Sequence, residues 1–410
     1  MNNYEARILS ERNDYTGALE KVELITKILN KDVDFLKNQK VLALYGDWGS
    51  GKSSIIQTLL NHENIKRQYK PILFEAWEYE KDNNLSLSLF EMLLSHSTKK
   101  SRDDLINVSK SFYSIVKGAA KGVTFNIPLA GNLDCSKIFE ELEKLQEGYF
   151  KKSFHSEKED LKAEFNKVID SIEKDGKLLI FIDDLDRCEN ENIISLITSI
   201  KHLFTLSDDI IFIMTIDKNA ITQALKVKYG ENSEKAEEYL EKIFPLNFSL
   251  NKSLNYDKYF DELRIEKSQI RNDLNQNEDQ KIRTCLKDFF IKYDVITPRK
   301  FIRVLNKVKL LEIFNEVQSM TAENYRAFLY LTAFNLFTLA EYNREGYNNF
   351  FKTLKKNNYS SNYRNAFEVQ KGDKQELNPI YDYLTRFENR FPLELYRDFK
   401  EILKIIEILV

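Results

Sequence analysis

YGDWGSGKSSIIQTLL, residues 45–60, follows directly on the apolar run Val41-Leu42-Ala43-Leu44. Within it, Gly46-x-x-x-x-Gly51-Lys52-Ser53 has the spacing of a phosphate-binding loop between a buried strand and an amphipathic helix, whose apolar face is Ile55, Ile56, Leu59 and Leu60. Glycines at those positions let successive backbone N–H groups converge on phosphate oxygens. The helix that starts near Lys52 turns its positive dipole end toward the same point. In that geometry Lys52 neutralises charge on the β- and γ-phosphates and the Ser53 hydroxyl ligates Mg²⁺. The whole loop, Gly46, Asp47, Trp48, Gly49, Ser50, Gly51, Lys52, Ser53 and Ser54, is the expected nucleotide cradle.

Similar apolar runs recur at Ile72–Trp77, Leu178–Ile182, Ile210–Ile216 and Phe244–Leu250. Each lacks alternation, as expected of strands buried on both faces of a parallel sheet, and helical patterns lie between them. The expected fold is therefore α/β: a three-layer core of parallel sheet flanked by helices. A helical opening is expected over Gly17–Leu36, with a possible capping box at Ser156-x-x-Glu159 ahead of Leu161, Phe165, Val168 and Ile172. The chain divides into a first core part (1–100), a mostly helical insertion (101–176), a second core part (177–250) and a C-terminal all-helical domain or lid (251–410).

Composition narrows the function classes. Across 410 residues, 42% are hydrophobic and 30% charged, with 12 Gly and 6 Pro, which fits a helix-rich globular chain. The formal net charge of −3 gives no global electrostatic case for nucleic acid or membrane. The mildly basic stretch Thr297–Asn365 is the one local footprint for nucleic acid, and it reads more simply as a solvated helical surface. Cys135, Cys188 and Cys285 lack metal-ligand spacing and suit a reducing compartment. The four histidines form no zinc or nucleophile pattern. The N-terminal residues lack the apolar core of a signal peptide, and no stretch reaches the roughly 20 apolar residues of a membrane span. A soluble, cytoplasmic protein is expected.

The phosphate loop calls for a second element, an apolar strand ending in acid. Leu178-Leu179-Ile180-Phe181-Ile182-Asp183-Asp184 supplies it. Asp183 is placed to hold Mg²⁺, and Asp184 to polarise an attacking water. Asp217, closing IIFIMTID, reads as a cap of the next helix. Arg187 is either a catalytic cation reaching a neighbouring subunit or a salt-bridge partner of Asp184 or Asp186.

YGDWGSGKSS, FEAWEYE (Phe74–Glu80), FIDDLDRC (Phe181–Cys188) and ITPRKFIRVLN (Ile296–Asn306) together resemble the KAP family of P-loop NTPases, in that family's order. The resemblance runs from about Asn13 to Lys309. It implies an ATPase core with an additional strand, a helical lid, ATP and Mg²⁺ as ligands, and Arg299 as a cation carried over the nucleotide. The resemblance equally makes Asp217 a γ-phosphate sensor, with Thr215 two residues earlier as its rival. It also implies a bacterial setting, in several cases anti-phage defence. Many members carry transmembrane helices where Ser101–Ser153 stands here without a span, so the chain resembles the soluble branch. Glu75 and Trp77 are read as site-orienting residues, Trp77 more simply as core. Trp48 shapes the loop or packs. Asp14-Tyr15 is placed to border an adenine pocket.

An ATP-hydrolysing switch or motor subunit is the leading expectation, with a homo-oligomer or an effector protein as partner. A nucleotide-dependent scaffold with little turnover, a nucleic-acid-stimulated ATPase and a small-molecule kinase are the alternatives. ATP is favoured over GTP because Asn251-Lys252-Ser253-Leu254 fails the guanine-reading pattern at its fourth position.

Overall fold

The computed structural model describes residues 6–31, 36, 39–82, 84–96, most of 162–172, 177–202, 204–229, 233–250, 255, 297–313, some positions of 333–341, 344–356 and 396–410. Two compact units emerge: one comprises Ala6–Glu11 with Ala18–Leu250, the other Met1–Glu5, Arg12–Gly17 and Asn251–Val410.

The first unit is built on five parallel strands: β1 (Val41–Tyr45), β2 (Tyr69–Glu75), β3 (Lys177–Asp183), β4 (Ile210–Ile216) and β5 (Leu246–Ser249). Their order in space is β2-β3-β4-β1-β5, so β4 is inserted between the strand that leads into the phosphate loop and the strand that ends in acid. This is the additional-strand arrangement implied by the family resemblance. The helices are α1 (Ala18–Lys31), α2 (Lys52–Leu60), α3 (Glu63–Gln68), α4 (Leu85–Ser95), α5 (Asn190–His202), α6 (Lys218–Tyr229) and α7 (Ser233–Ile243), with a further helical stretch over 165–170.

Period-two alternation divides the core into two layers. On one face Val41, Ala43, Phe74, Ile180, Ile182, Phe212, Met214 and Ile216 pack against apolar residues of α4, α5, α6 and α7 and against Phe165, Val168, Ile169 and Ile172. On the other, Leu42, Leu44, Leu179, Phe181, Ile211 and Ile213 pack against Val22, Ile25 and Leu29 of α1 and Ile55, Ile56 and Leu59 of α2. Both faces are apolar, which is why the strands read as continuous hydrophobic runs.

The expected strands are all present; Val41–Tyr45 and Ile210–Ile216 keep their expected bounds, and the others shift at their ends. The second begins at Tyr69 and stops at Glu75, where Ala76–Tyr79 tightens into a 3-10 turn. The last is trimmed to Leu246–Ser249. Most of the expected insertion, Ser156 and Glu159 included, lies outside the described residues, while Phe165, Val168 and Ile172 are buried as their spacing predicts.

In the second unit, α8 (Pro298–Ile313), α9 (Arg344–Lys356) and α10 (Tyr396–Leu409) are helical. Pro298 at the first helical position pre-sets φ and has no N–H to waste. Tyr347 and Phe351 stack with centroids 4.7 Å apart and are buried, as are Leu403 and Ile406, and the Tyr347 hydroxyl donates to the Ile406 carbonyl at 3.5 Å. These aromatics are core. Glu341 draws Arg303 (2.9 Å) and Lys307 (3.5 Å), which ties part of the basic bias into ion pairs. No helix among the described residues is long and apolar enough to cross a membrane.

The aromatic chain Phe165–Phe204–Phe212, with centroids 5.7 and 6.1 Å apart, joins the helical stretch at 165–170 to β4. Phe204 is fully buried there. Phe204→Ala is expected to lower stability by about 3–5 kcal/mol and Phe204→Leu by clearly less, read from urea unfolding midpoints at constant m.

Candidate active site

Every group in the site stands at or just beyond the carboxyl end of a strand. After β1 the chain turns through Asp47–Ser50, with the Ser50 N–H donating to the Asp47 carbonyl at 3.1 Å. Gly49 (φ 80°) and Gly51 (φ 100°) adopt left-handed backbone that a side chain would strain. At Gly46 the constraint is space: a Cβ there would lie 2.5 Å from Ser50 Oγ. The loop closes on α2, where the Ser54 and Ile55 N–H groups donate to the Gly51 carbonyl at 3.1 and 3.2 Å. Lys52, 7% exposed, points its Nζ back into the loop and donates to the Gly46 carbonyl (2.7 Å) and the Asp47 carbonyl (3.2 Å). Ser50 Oγ is buried with no hydrogen-bond partner.

A curled glycine loop, an inward lysine on backbone carbonyls and an orphaned buried hydroxyl fit an anion of phosphate type. Ser53, half-buried, stands in the first turn of α2. Trp48 is 42% exposed, so its indole is not a core residue. The helix behind the loop is crossed by the segment 6–11, whose Arg7 N–H donates to Ser54 Oγ at 3.3 Å and Leu9 N–H to Thr58 Oγ1 at 2.8 Å.

The acidic side of the site is built around Asp183, which is buried at the end of β3. Its Oδ1 accepts from the Thr215 hydroxyl at 2.6 Å and from the Asp184 N–H at 2.9 Å. Two donors on one oxygen fix the carboxylate and aim its other oxygen; that oxygen and the Ser53 hydroxyl are the groups here suited to a hard cation such as Mg²⁺. Asp184 follows in left-handed backbone (φ 55°), the only non-glycine residue at positive φ among the described residues, and its Oδ1 pairs with Arg187 at 2.9 Å. The cis salt bridge is thus what Arg187 makes. Its guanidinium also stands 5.5 Å from the centroid of the Trp77 ring.

Trp77 corrects the sequence reading. It is 53% exposed rather than core. β2 is the far edge strand and pairs with β3, in a register that sets Glu75 opposite Asp183. Glu75 consequently has its carboxyl raised above the ordinary range, first by burial and then by the charges of Glu78, Asp183 and Asp184, with Arg187 opposing. On β4 the two sensor candidates separate. Asp217 Oδ1 accepts from the N–H groups of Asn219 (3.0 Å) and Ala220 (3.4 Å), the cap of α6, whereas Thr215 is fully buried on Asp183.

Arg299 lies in the first turn of α8 in the second unit. Asp14 and Tyr15 belong to that unit as well, where the Tyr15 carbonyl accepts from the Asn255 N–H at 2.7 Å. What sequence reasoning missed is the pairing between turns: the Glu80 carboxylate accepting from the Glu189 N–H at 2.7 Å has no signal in either residue's own neighbourhood.

A family model, the KAP family P-loop domain, matches residues 21–315. The chain belongs to the KAP family of P-loop NTPases. An uncharacterized protein of Methanocaldococcus jannaschii is 28% identical over 172 residues, covering 35% of this chain and 89% of that protein. The Walker-type ATPase of Pyrococcus abyssi aligns over 98% of this KAP chain and 93% of its own at 13% identity, with a TM-score of 0.28. So loose a superposition adds nothing to the fold, which rests on the strand order and the family match. As a KAP member the chain is a nucleotide-binding NTPase by family and core.

Thr215→Val removes the donor to Asp183 while keeping shape. It is expected to lower stability by roughly 1.5–3 kcal/mol, the scale of a hydrogen bond to a charged group, and Thr215→Ser by much less, measured by chemical denaturation.

Proposed function

We propose that this KAP protein binds ATP with Mg²⁺ on the loop Gly46–Ser54 and hydrolyses it. The observation that carries the reading is the acidic pair Asp183–Asp184 at the end of β3, separated from the phosphate loop by β4 alone. At ordinary strand spacing, an intervening strand sets loop and acid about 10 Å apart, the scale of a γ-phosphoryl group with its metal. Backbone N–H groups of the loop, the α2 N-terminus and Lys52 bind the phosphates; to do so Lys52 exchanges its bonds to the Gly46 and Asp47 carbonyls for phosphate oxygens. Ser53 and Asp183 would hold the metal, which when bound supplies charge neutralisation at the transferring phosphoryl group. Asp184 accepts a proton from, and orients, the attacking water. Thr215 keeps Asp183 aimed.

Arg299 is proposed as the cation brought to the γ-phosphate by the helical second unit, so that nucleotide state sets that unit's arrangement: a switch. A homo-oligomer or effector protein as partner, a cytoplasmic location and a bacterial anti-phage role are the biological setting that the resemblance favours. A hydrolysing switch needs something to release, and the genes beside it are where that partner is to be sought.

Phosphate release across a nucleotide panel, with and without DNA or RNA, tests the reading. Lys52→Ala is expected to weaken ATP binding roughly 10- to 100-fold. Asp184→Asn is expected to keep binding while losing turnover by about 10²-fold or more, the usual worth of a positioned base. Equal turnover by Asp184→Asn and wild type removes Asp184 from the mechanism. Tight binding with negligible release by the wild type favours a scaffold, and stimulation by nucleic acid favours a polymer-dependent ATPase.

A further inference from the structure

The turns that follow β2 and β3 are stitched together at two points. One stitch is the Glu80 carboxylate accepting from the Glu189 N–H at 2.7 Å. The other is the Trp77 ring against the Arg187 guanidinium, 5.5 Å from centroid to carbon. Arg187 in turn holds Asp184 Oδ1 at 2.9 Å. Thus an edge strand that contributes nothing to the phosphate loop reaches the water-polarising acid through a ring, a guanidinium and a carboxylate.

Each link has a physical reason to be there. An indole with 53% of its surface exposed does little for the core, so its ring is available to a cation. Trp offers the best aromatic face for one, and a planar guanidinium can lie against a ring while its edge N–H groups still donate to a carboxylate. Asp184 needs such support. Its backbone sits at φ 55°, and the turn that follows, Leu185–Arg187, is three residues long. Its side chain direction is therefore set less by regular structure than by what grips the carboxylate. Arg187 grips it, and Arg187 is itself steadied from across the gap.

We infer that Trp77 is a positioning residue for hydrolysis: the ring holds the Arg187 guanidinium, which fixes the direction of the Asp184 carboxylate. This rests on the hydrolytic role proposed for Asp184. It gives the FEAWEYE segment a role in turnover rather than in nucleotide binding, and it makes Arg187 a residue that acts through Asp184 within its own chain.

The test is a double-mutant cycle on the full chain, with kcat and KM for ATP measured for Trp77→Ala, Arg187→Ala and the pair, beside Trp77→Phe. Each single change is expected to lower kcat about tenfold, the scale of one cation–π contact, with KM nearly unchanged. The double variant should be no slower than Arg187→Ala, and Trp77→Phe, which keeps a ring, should recover most of the rate. Losses that multiply in the double variant overturn the inference. So does Trp77→Ala at wild-type kcat beside an Arg187→Ala that has lost activity, or an effect confined to KM.

A wild type with no turnover would remove the hydrolytic reading. The linkage is then judged by fluorescence. The chain has 2 Trp, so Trp48→Phe leaves Trp77 as the sole indole. Adding Asp184→Ala should release Arg187 and raise acrylamide quenching of Trp77, as should Arg187→Ala. Quenching unmoved by Asp184→Ala refutes the link.

Discussion

The end of β4 holds the two halves of the site together with consecutive residues. The Thr215 hydroxyl donates to Asp183 on one neighbouring strand, and the Ile216 carbonyl accepts from the Gly46 N–H, at 3.1 Å, on the other. The Ile216 carbonyl points along the sheet to one lateral neighbour, while the Thr215 side chain, standing off the sheet face, reaches the end of the other, so one strand serves both at one level. Because β4 is fully buried along its length, with a burial pattern unbroken from Ile210 to Ile216, those two contacts are made in a low-dielectric, closely packed setting. The separation between loop and acid is therefore a property of the sheet and not of the loops. Loop residues can move when a nucleotide arrives; the spacing of the two strands changes only by breaking the sheet.

Lys52 shows how the loop keeps its shape. An ammonium that is 7% exposed would be costly without acceptors, and the Gly46 and Asp47 carbonyls provide them. The lysine thus staples the loop around the space that phosphate oxygens would enter. In the proposed binding, these carbonyl acceptors would be exchanged for anionic ones, and the side chain would gain a stronger partner without having to be newly desolvated. Ser50 Oγ is a buried side-chain oxygen of the loop with no hydrogen-bond partner, and an arriving anion would give it one. Both features favour an arriving anion over the closed loop alone.

Much of this was legible in the sequence because the signals are local. The phosphate loop and its two flanking elements occupy one unbroken stretch, and the acid pair ends a single apolar run. Pro298 announces its helix, and Asp217 before Lys218-Asn219-Ala220 is as good a cap signal as a sensor signal; the cap is what its hydrogen bonds form. What was not legible is lateral. A strand's neighbours depend on crossovers, so nothing near Phe74 says that β2 pairs with β3. Trp77 misled for the same reason. A large aromatic after a buried strand reads as core when its partner, Arg187, comes 110 residues later in the chain.

That lateral arrangement also decides the electrostatics of the acidic end. Placing β2 beside β3 sets Glu75 opposite Asp183, and burial first, then the charges of Glu78, Asp183 and Asp184, raise the Glu75 pKa, with Arg187 partly offsetting them. Four carboxyl groups against one guanidinium leave an excess of negative charge beside a loop built for anions. Such a site repels an uncompensated polyphosphate on one side while attracting it on the other. A cation between the two sides would offset the like charge, which is the place the proposed function gives to Mg²⁺; the imbalance itself follows from strand order, which sets Glu75 opposite Asp183, and not from any single residue.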